Sequence, residues 1–355
     1  MDKKKLITSL VFIIIVGVVI ISLTVSKKSY AVGATLVDTV KALNKGDDWN
    51  AGDSGVYATS AYLPTINSMK SEYHEYRYIG AEVNNYVKFN NDLYRIIGVF
   101  DSNSHGVENT EMVKLIRDRA LSSYSWGVYN TDSSTGTCSG YANDWTGKTT
   151  TSPANLNVLF NEYFYNKKDT SNIYGECLDW TYYSASNDTK TNDCADILAY
   201  GINDDIREYI EETTWYISGS SEDQCKQDWY SCERGHSCTN AYLEIGSAKS
   251  KIGLMYLSDY LYASGYYSSS DMTTNNALYF GSENWLYSSS NEWTMTVVDD
   301  DYSVWYIENG GGVYSDAIMS YTFRPTFYLK SSVYVTGGDG SFDNPYTLGC
   351  DNCTE

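Results

Sequence analysis

The sequence predicts an α+β fold of antiparallel sheets with a few peripheral helices, preceded by one membrane-spanning helix. Three observations carry this prediction: the run Leu6 to Val25 has no charged residue, β-type segments separated by turn residues begin near Tyr76, and few segments have helical periodicity. The expected organisation is a cytoplasmic tip with a transmembrane signal anchor (1–28), a stalk with a short helix (29–70), an extracytoplasmic α+β domain (71–348) and a C-terminal tail (349–355).

The apolar run near the N-terminus has 20 residues, Leu6 to Val25, and lysines lie on both sides of it. At about 1.5 Å per residue, such a helix spans about 30 Å, the thickness of a bilayer core. The lysines at positions 3 to 5 predict that the N-terminus stays inside, so the rest of the chain is exported. Cleavage after Ala31 is the alternative, because Ser29-Tyr30-Ala31 fits a small-x-small site. The length of the run favours a retained anchor and a single-pass protein of the cell membrane.

Composition narrows the classes of partner. The chain has 35 tyrosines and a net charge of −20. This acidity excludes nucleic acid as a natural partner, because like charges repel. Tyrosine suits both β-strands and solvent-facing binding surfaces, so its abundance is explained either by strand propensity or by a binding face.

Eight cysteines follow the apolar run, and none lies within it. An even number beyond an export signal indicates disulfides, although the pairing stays open. Cys350-x-x-Cys353 could instead be half a zinc site or a redox pair; the absence of a second such motif and its place in a tail favour a structural role. The disulfide candidates are Cys138, Cys177, Cys194, Cys225, Cys232, Cys238, Cys350 and Cys353.

A β-meander is predicted after position 75. Tyr86 to Phe89 and Leu93 to Phe100 flank Asn90-Asn91-Asp92, and asparagine tolerates the positive φ that hairpin turns require. Met112 to Ile116 supplies a third strand. The segment 126–150 is predicted to be a loop.

Two helices are predicted in the middle of the chain. Ser152 caps the first with Pro153 at its first position, and Asn203 caps the second. A further short helix begins at Ser258 or Asp259. The apolar stripe of the first helix is Leu156, Leu159, Phe160, Tyr163 and Phe164.

Strands return towards the C-terminus. We expect one at Lys251 to Leu257, a hairpin of Trp293 to Val298 with Ser303 to Ile307, and a strand from Phe323 to Lys330.

Short motifs occur on these strands in a fixed order. They are Tyr76 to Gly80, Asn85 to Phe89, Tyr94 to Gly98, Ile252 to Tyr256 with Ser258 to Tyr260, Arg324 to Lys330, and Gly337 to Gly340 with Asn344 to Tyr346. Together they resemble a family of uncharacterised exported domains from Gram-positive, mostly gut-dwelling bacteria. The resemblance runs from about Tyr76 to Leu348. Leu257 and Leu261 depart from it, since the pattern would have Pro and Gly there.

The closing pattern comprises Trp285-Leu286, a hairpin that contains Trp293, and Phe323-Arg324-Pro325. It is similar to the C-type-lectin-like fold in its formylglycine-generating-enzyme version. That enzyme's reactive cysteine pair has no counterpart here, and the lectins' Glu-Pro-Asn and Trp-Asn-Asp calcium motifs are absent. The resemblance therefore implies a fold and no activity.

Aromatic residues crowd the segment that ends in this pattern. Aromatic faces stack on sugars and peptides, so the segment is the predicted ligand-binding surface. The alternative is that these rings pack the core. The candidates are Trp285, Trp293, Tyr302, Trp305 and Tyr306.

Two arginines, Arg95 and Arg324, interrupt apolar strands. A buried arginine needs a partner, so we expect each to fix an internal carboxylate or carbonyl group, with anion binding as the alternative.

Two groups of acidic residues are candidates for binding calcium, which is the one cofactor that the sequence suggests. Asp299, Asp300 and Asp301 supply oxygen ligands, but they are equally a solvated hairpin tip. Asp339-x-Ser341-x-Asp343 has the oxygen spacing of a calcium loop, but it lacks that loop's glycine and closing glutamate, which favours a turn.

No catalytic motif accompanies the three histidines, His74, His105 and His236. The sequence therefore favours a membrane-anchored extracytoplasmic binding or adhesion module, with a glycan or another cell-envelope component as its ligand. The alternatives are an exported carbohydrate-active or protein-modifying enzyme and a purely structural envelope protein.

Overall fold

A computed structural model describes most of residues 33–353 of the 355-residue chain. It describes residues 33–59, 75–126, 128–131, 138–142, 145, 155–167, 197, 199–219, 226–234, 246–272, 283–298, 303–316 and 320–353. Within these residues the fold is α+β, as predicted, and the helices are few and short. None of the helices in this part is long and apolar enough to cross a membrane; the predicted span Leu6 to Val25 lies outside it.

The larger sheet has eight strands, centred on β4 (Asp92–Phe100). The other strands are β1 (Gly55–Ala58), β2 (Tyr76–Ile79), β3 (Tyr86–Phe89), β5 (Met112–Arg117), β15 (Thr326–Tyr328), β16 (Tyr334–Gly337) and β17 (Tyr346–Gly349). β4 pairs antiparallel with β2, β3 and β5, whereas β17 runs parallel to β3. The order is β1-β2-β4-β3-β17-β16, with β5 on β4 and β15 on β5.

The β3–β4 hairpin confirms the predicted turn. Asn90 and Asn91 have φ values of 55° and 59°, the left-handed conformation that a two-residue hairpin turn needs at both positions. Met112–Arg117 is the predicted third strand, and it is buried along its whole length.

The smaller sheet has five strands: β6 (Leu121–Ser125), β11 (Glu292–Val297), β12 (Val304–Ile307), β13 (Val313–Asp316) and β14 (Ser320–Phe323). Their order in the sheet is β13-β12-β11-β14-β6. The predicted hairpin near Trp293 is confirmed as β11 and β12, while β11 and β14 run parallel. The expectation of antiparallel sheets is therefore corrected, because both the larger and the smaller sheet are mixed.

The chain crosses from the smaller sheet to the larger at Arg324-Pro325. The predicted single strand from Phe323 to Lys330 is broken there, because proline has no N–H to donate to a ladder. The carbonyl of Pro325 still accepts from the N–H of Arg117, 3.0 Å away, so the crossing point is fixed to β5.

Two small antiparallel pairs complete the strands. β7 (Val128–Thr131) pairs with β8 (Cys138–Ala142), where the sequence predicted a loop. β9 (Thr213–Ile217) pairs with β10 (Gly246–Ser250). The strand predicted at Lys251 to Leu257 is wrong: Gly253 makes a single bridge to Thr326, and the apolar character of the segment reflects burial.

Helix α1 (Leu36–Lys41) is the short helix predicted in the stalk segment, and it packs on the domain. Thr35 caps α1, accepting from the N–H of Asp38 at 3.0 Å, and the helix buries Leu36, Val37 and Val40. Each such side chain contributes about 1.5–3 kcal/mol. Residues 33–36 also hydrogen-bond to β16, and β1 is a strand of the larger sheet. Residues 33–59 are thus part of the folded domain, since their apolar side chains complete its core.

The remaining helices are short. The predicted apolar stripe is confirmed: α3 (Asn155–Val158) continues as a π-helical segment (Leu159–Tyr165), and all five stripe residues are buried. The others are α2 (Ser102–His105), α4 (Asp204–Arg207), α5 (Lys226–Glu233), α6 (Leu257–Tyr262) and a 3-10 turn (Ser269–Met272). Asn203 stands at the N-cap position of α4, but its side chain makes no capping hydrogen bond and accepts from Lys167 instead.

Candidate functional site

Three of the predicted ligand-binding aromatics lie in the core. Trp285, Trp293 and Trp305 are 5%, 1% and 1% exposed. The indole N–H of Trp285 donates to the carbonyl of Tyr78 at 2.8 Å, and that of Trp293 donates to the carbonyl of Tyr124 at 2.8 Å. Buried indoles with these partners pack the core of the fold. Tyr302 lies outside the described residues.

The fifth candidate, Tyr306, belongs to a row of aromatic rings across the smaller sheet. Trp293, Tyr306 and Tyr314 are direct cross-strand partners on β11, β12 and β13, so their side chains share one face. Tyr321 on β14 joins the row from the other side, with its ring 4.3 Å from that of Tyr306. We call Tyr306, Tyr314 and Tyr321 the tyrosine ledge.

The tyrosine ledge rests on Trp293 and opens towards solvent at Tyr314. The ring of Trp293 lies 4.7 Å from Tyr321 and 6.0 Å from Tyr306. Tyr306 and Tyr321 are half-buried, whereas Tyr314 is 55% exposed and stands on the end strand of the sheet. The planes of Tyr306 and Tyr314 differ by 35°, so the two rings present similar orientations. Sequence reasoning missed Tyr314 and Tyr321, although the period of two on β13 and β14 places them on this face.

Both candidate arginines, Arg95 and Arg324, are buried and hydrogen-bond to internal acceptors. Arg324 donates from Nε and Nη2 to the two carboxylate oxygens of Glu292 at 2.6 and 2.9 Å. Arg95 donates to Asn85 Oδ1 at 2.7 Å and to the carbonyl of Trp285 at 3.0 Å, and its guanidinium lies 4.6 Å from the Trp285 ring. Burial lowers the pKa of Arg95 to about 10, so the side chain remains charged at neutral pH.

The acidic candidates form no metal site among the residues that the structure describes, where no three His, Cys, Asp or Glu side chains come together. Asp339 Oδ1 accepts from the N–H and the hydroxyl of Ser341 at 3.1 and 2.6 Å, which closes a local turn. Asp343 is exposed. Asp299, Asp300 and Asp301 lie outside the described residues, so calcium binding at that tip stays a prediction.

Three cysteines are seen in disulfides. Cys350 and Cys353 bond to each other, and Ser332 Oγ lies 3.4 Å from the sulfur of Cys350. Cys232 is buried and also disulfide-bonded. Cys138 begins β8. The others, Cys177, Cys194, Cys225 and Cys238, lie outside the part of the chain that the structure describes.

A network of buried charges was not predicted. Six ionisable side chains, three basic and three acidic, are each at most 2% exposed between the larger sheet and helices α5 and α6: Glu75, Arg77, Lys114, Glu233, Arg234 and Asp259. Arg77 bridges Glu75 and Asp259 at 2.8 and 3.1 Å, and Lys114 Nζ lies 2.6 Å from Asp259. These ion pairs join strands β2 and β5 to helix α6.

The second half of the network ties α5 to the rest. Glu233 accepts from the Ser258 N–H at 2.9 Å and from the Thr296 hydroxyl at 2.6 Å. Arg234 Nη2 donates to Ser104 Oγ at 3.0 Å, and that hydroxyl donates to Glu75. Buried ionisable groups need such partners, so the network dictates how α5 and α6 dock.

The pKa values of two buried glutamates in the network are shifted in opposite directions. Burial alone would raise the pKa of Glu75, but the adjacent Arg77 and Arg234 guanidinium groups hold it below its usual value. Burial dominates at Glu233 and raises its pKa. Burial also lowers the pKa of His105 to about 4, and its Nδ1 accepts from the Val107 N–H at 3.2 Å. His105 is therefore neutral and fully buried at pH 7. His74 and His236 lie outside the described residues.

Compared with family models, with curated proteins and with solved structures, the chain matches none. The resemblances drawn from its motifs thus remain predictions. The fold and the tyrosine ledge define an α+β domain with an aromatic, partly exposed row at the end of a mixed sheet.

Proposed function

We propose that the chain is a membrane-anchored extracytoplasmic binding module that holds a glycan of the cell envelope against the tyrosine ledge. The observation that carries the proposal is the exposed ring of Tyr314 at the open end of an aromatic row. Sugar rings present flat C–H faces, and tyrosine offers them an apolar ring with a hydroxyl at its edge.

The rigidity of the ledge supports binding. Tyr306 and Tyr321 pack on each other and on Trp293, so these rings lose little freedom when a ligand arrives. Preorganised aromatic side chains bind with less loss of conformational entropy than mobile ones do.

The charge of the chain favours one class of glycan. A net charge of −20 repels polyanions such as acidic wall polymers, so we expect neutral or basic glycans to bind more tightly. The export that this function requires rests on the run Leu6 to Val25 and its flanking lysines.

An array of glycans and cell-wall fragments tests the proposal, probed with the detergent-solubilised full chain and with its Tyr314→Ala variant. Binding to neutral or basic glycans that the variant loses supports it. Equal binding by both proteins would show that the glycan binds somewhere other than the tyrosine ledge. Silence of the wild type across the array would contradict glycan binding and favour a structural envelope role.

A further inference from the structure

One lysine and one carboxylate face each other in the interior of the domain. Lys114 on β5 and Asp259 on α6 are both fully buried, and Lys114 Nζ lies 2.6 Å from Asp259 Oδ2. The residues are 145 positions apart in the chain, so folding alone brings them together.

Aromatic rings enclose the ammonium group. The centroids of Phe100, Trp215, Tyr256 and Tyr328 lie 4.5–5.5 Å from Lys114 Nζ. Burial lowers the pKa of Lys114 to about 8, against the opposing effect of Asp259. Although burial would raise the pKa of Asp259, Lys114 and the Arg77 guanidinium hold it below its usual value. Transfer of a proton from the ammonium to the carboxylate is therefore uphill, and the low-polarity enclosure makes it less costly than it would be in water.

Other lysine–carboxylate pairs of the described residues lack this enclosure. Lys41 Nζ lies at the same 2.6 Å from Glu111, but the two side chains are 33% and 26% exposed. Lys330 and Glu208 are 3.6 Å apart and also reach solvent. The remaining buried ion pairs use arginine, whose guanidinium stays protonated and is a poor nucleophile.

We propose that Lys114 and Asp259 condense to an intramolecular amide bond. A proton passes from Nζ to Oδ2, and the free amine attacks Cγ of Asp259. The C–N bond forms, the Cγ–Oδ2 bond breaks, and Oδ2 leaves as water with the proton it received and one from the nitrogen. No oxidant, reductant or other co-reactant is needed.

Neighbouring groups are placed to assist each step. Arg77 Nη1 donates to Asp259 Oδ1 at 3.1 Å, where it stabilises the negative charge that this oxygen carries in the tetrahedral intermediate. The Tyr256 N–H donates to Oδ2 at 2.9 Å and holds the carboxylate in position next to the amine. Fixed proximity of this kind replaces a bimolecular encounter.

Burial also supplies the driving force. A buried ion pair retains a large desolvation penalty, and the amide removes both charges from the interior. Exclusion of water from the site then protects the new bond from hydrolysis.

Mass spectrometry of the full chain, denatured and with its disulfides reduced, tests the proposal. We expect a mass lower than that of the sequence by one water, and a proteolytic digest in which the peptide containing Lys114 is joined to the one containing Asp259. Lys114→Arg, which keeps the charge but cannot form the amide, should recover the full mass. Lys41→Arg should keep the loss of water.

A wild-type chain of full mass, with the Lys114 and Asp259 peptides separate, would overturn the proposal. A linkage found at Lys41 instead would overturn it as well. Because the decisive measurement is made on the denatured wild type, it does not depend on how well a variant folds, and it is independent of whether the chain binds a glycan.

Discussion

Arg324 and Glu292 form two hydrogen bonds at the place where the chain passes from the smaller sheet to the larger. Arg324 Nε and Nη2 donate to Oε1 and Oε2 of Glu292 at 2.6 and 2.9 Å, and Nη2 also donates to the carbonyl of Leu286 at 2.6 Å. A planar guanidinium matches a carboxylate in this geometry. The pair therefore fixes β11, which carries Trp293 beneath the tyrosine ledge, to the crossing point.

Removal of one partner should be strongly destabilising. In Glu292→Ala the buried guanidinium of Arg324 loses its counter-charge, so the free energy of unfolding should fall by about 3–5 kcal/mol. Urea denaturation followed by circular dichroism measures it. Glu208→Ala is the control, because the Lys330–Glu208 pair is 3.6 Å apart and partly exposed, and its loss should be about 0–1 kcal/mol. Equal losses of unfolding free energy in the two variants would show that the buried Arg324–Glu292 pair stabilises the fold no more than an exposed ion pair does.

Gly98 is the second structural test, because β2 runs too close to it for a side chain. A Cβ at this position would lie 2.3 Å from the carbonyl oxygen of Tyr76. Gly98→Ala must push β2 from β4, so the free energy of unfolding should fall by about 1–3 kcal/mol. Gly246→Ala on β10 is the matched strand control, since its Cβ would meet Ile217 at an ordinary 3.6 Å. A larger loss in the control than in Gly98→Ala would contradict the packing described.

Asp101 should make stability depend on pH. Burial, followed by the nearby Glu75, raises the pKa of Asp101 from 3.8 to about 7. A raised pKa means that the folded state binds the proton more tightly, so this stabilisation is complete below pH 3.8 and is lost as the pH rises through 7. In Asp101→Asn the amide oxygen can still cap α2, where Asp101 Oδ1 accepts from the Asn103 N–H at 2.8 Å.

The stability of Asp101→Asn relative to the wild type should therefore increase between pH 4 and pH 8. Urea melts at several pH values measure this difference, from which the contribution of His105, common to both proteins, cancels. A difference that stays constant across the range would show that Asp101 has an ordinary pKa in the folded protein.

Local signals in the sequence predicted part of the fold. Asn90-Asn91 specifies the β3–β4 turn through its own backbone preference, and the stripe from Leu156 to Phe164 has a period that only one helix face satisfies. The role of residues 33–59 was not predictable in the same way, because the strand and helix there gain stability from β16 and β2, which are distant in sequence.

The buried network was harder to foresee because its contacts are non-local. Arg77 and Asp259 are 182 positions apart, and no spacing rule joins them. A signal did exist: Arg77 is the one charged residue of β2, and Lys114 lies between apolar residues in β5, the same pattern that singled out Arg95 and Arg324. The burial of Trp285, Trp293 and Trp305 was missed for a related reason, since composition marked a segment rich in Trp and Tyr but could not tell its buried face from its exposed one.

The dissociation constant of the full chain for the tightest-binding glycan tests the central claim most directly. For Tyr314→Ala we expect it to rise at least about tenfold, since an aromatic anchor contributes more than about 1.4 kcal/mol. Phe342→Ala, which removes an aromatic ring that is 62% exposed on the β16–β17 turn, should leave it unchanged. An unchanged constant for Tyr314→Ala, or an equal rise for both variants, would contradict the assignment of the tyrosine ledge as the binding surface.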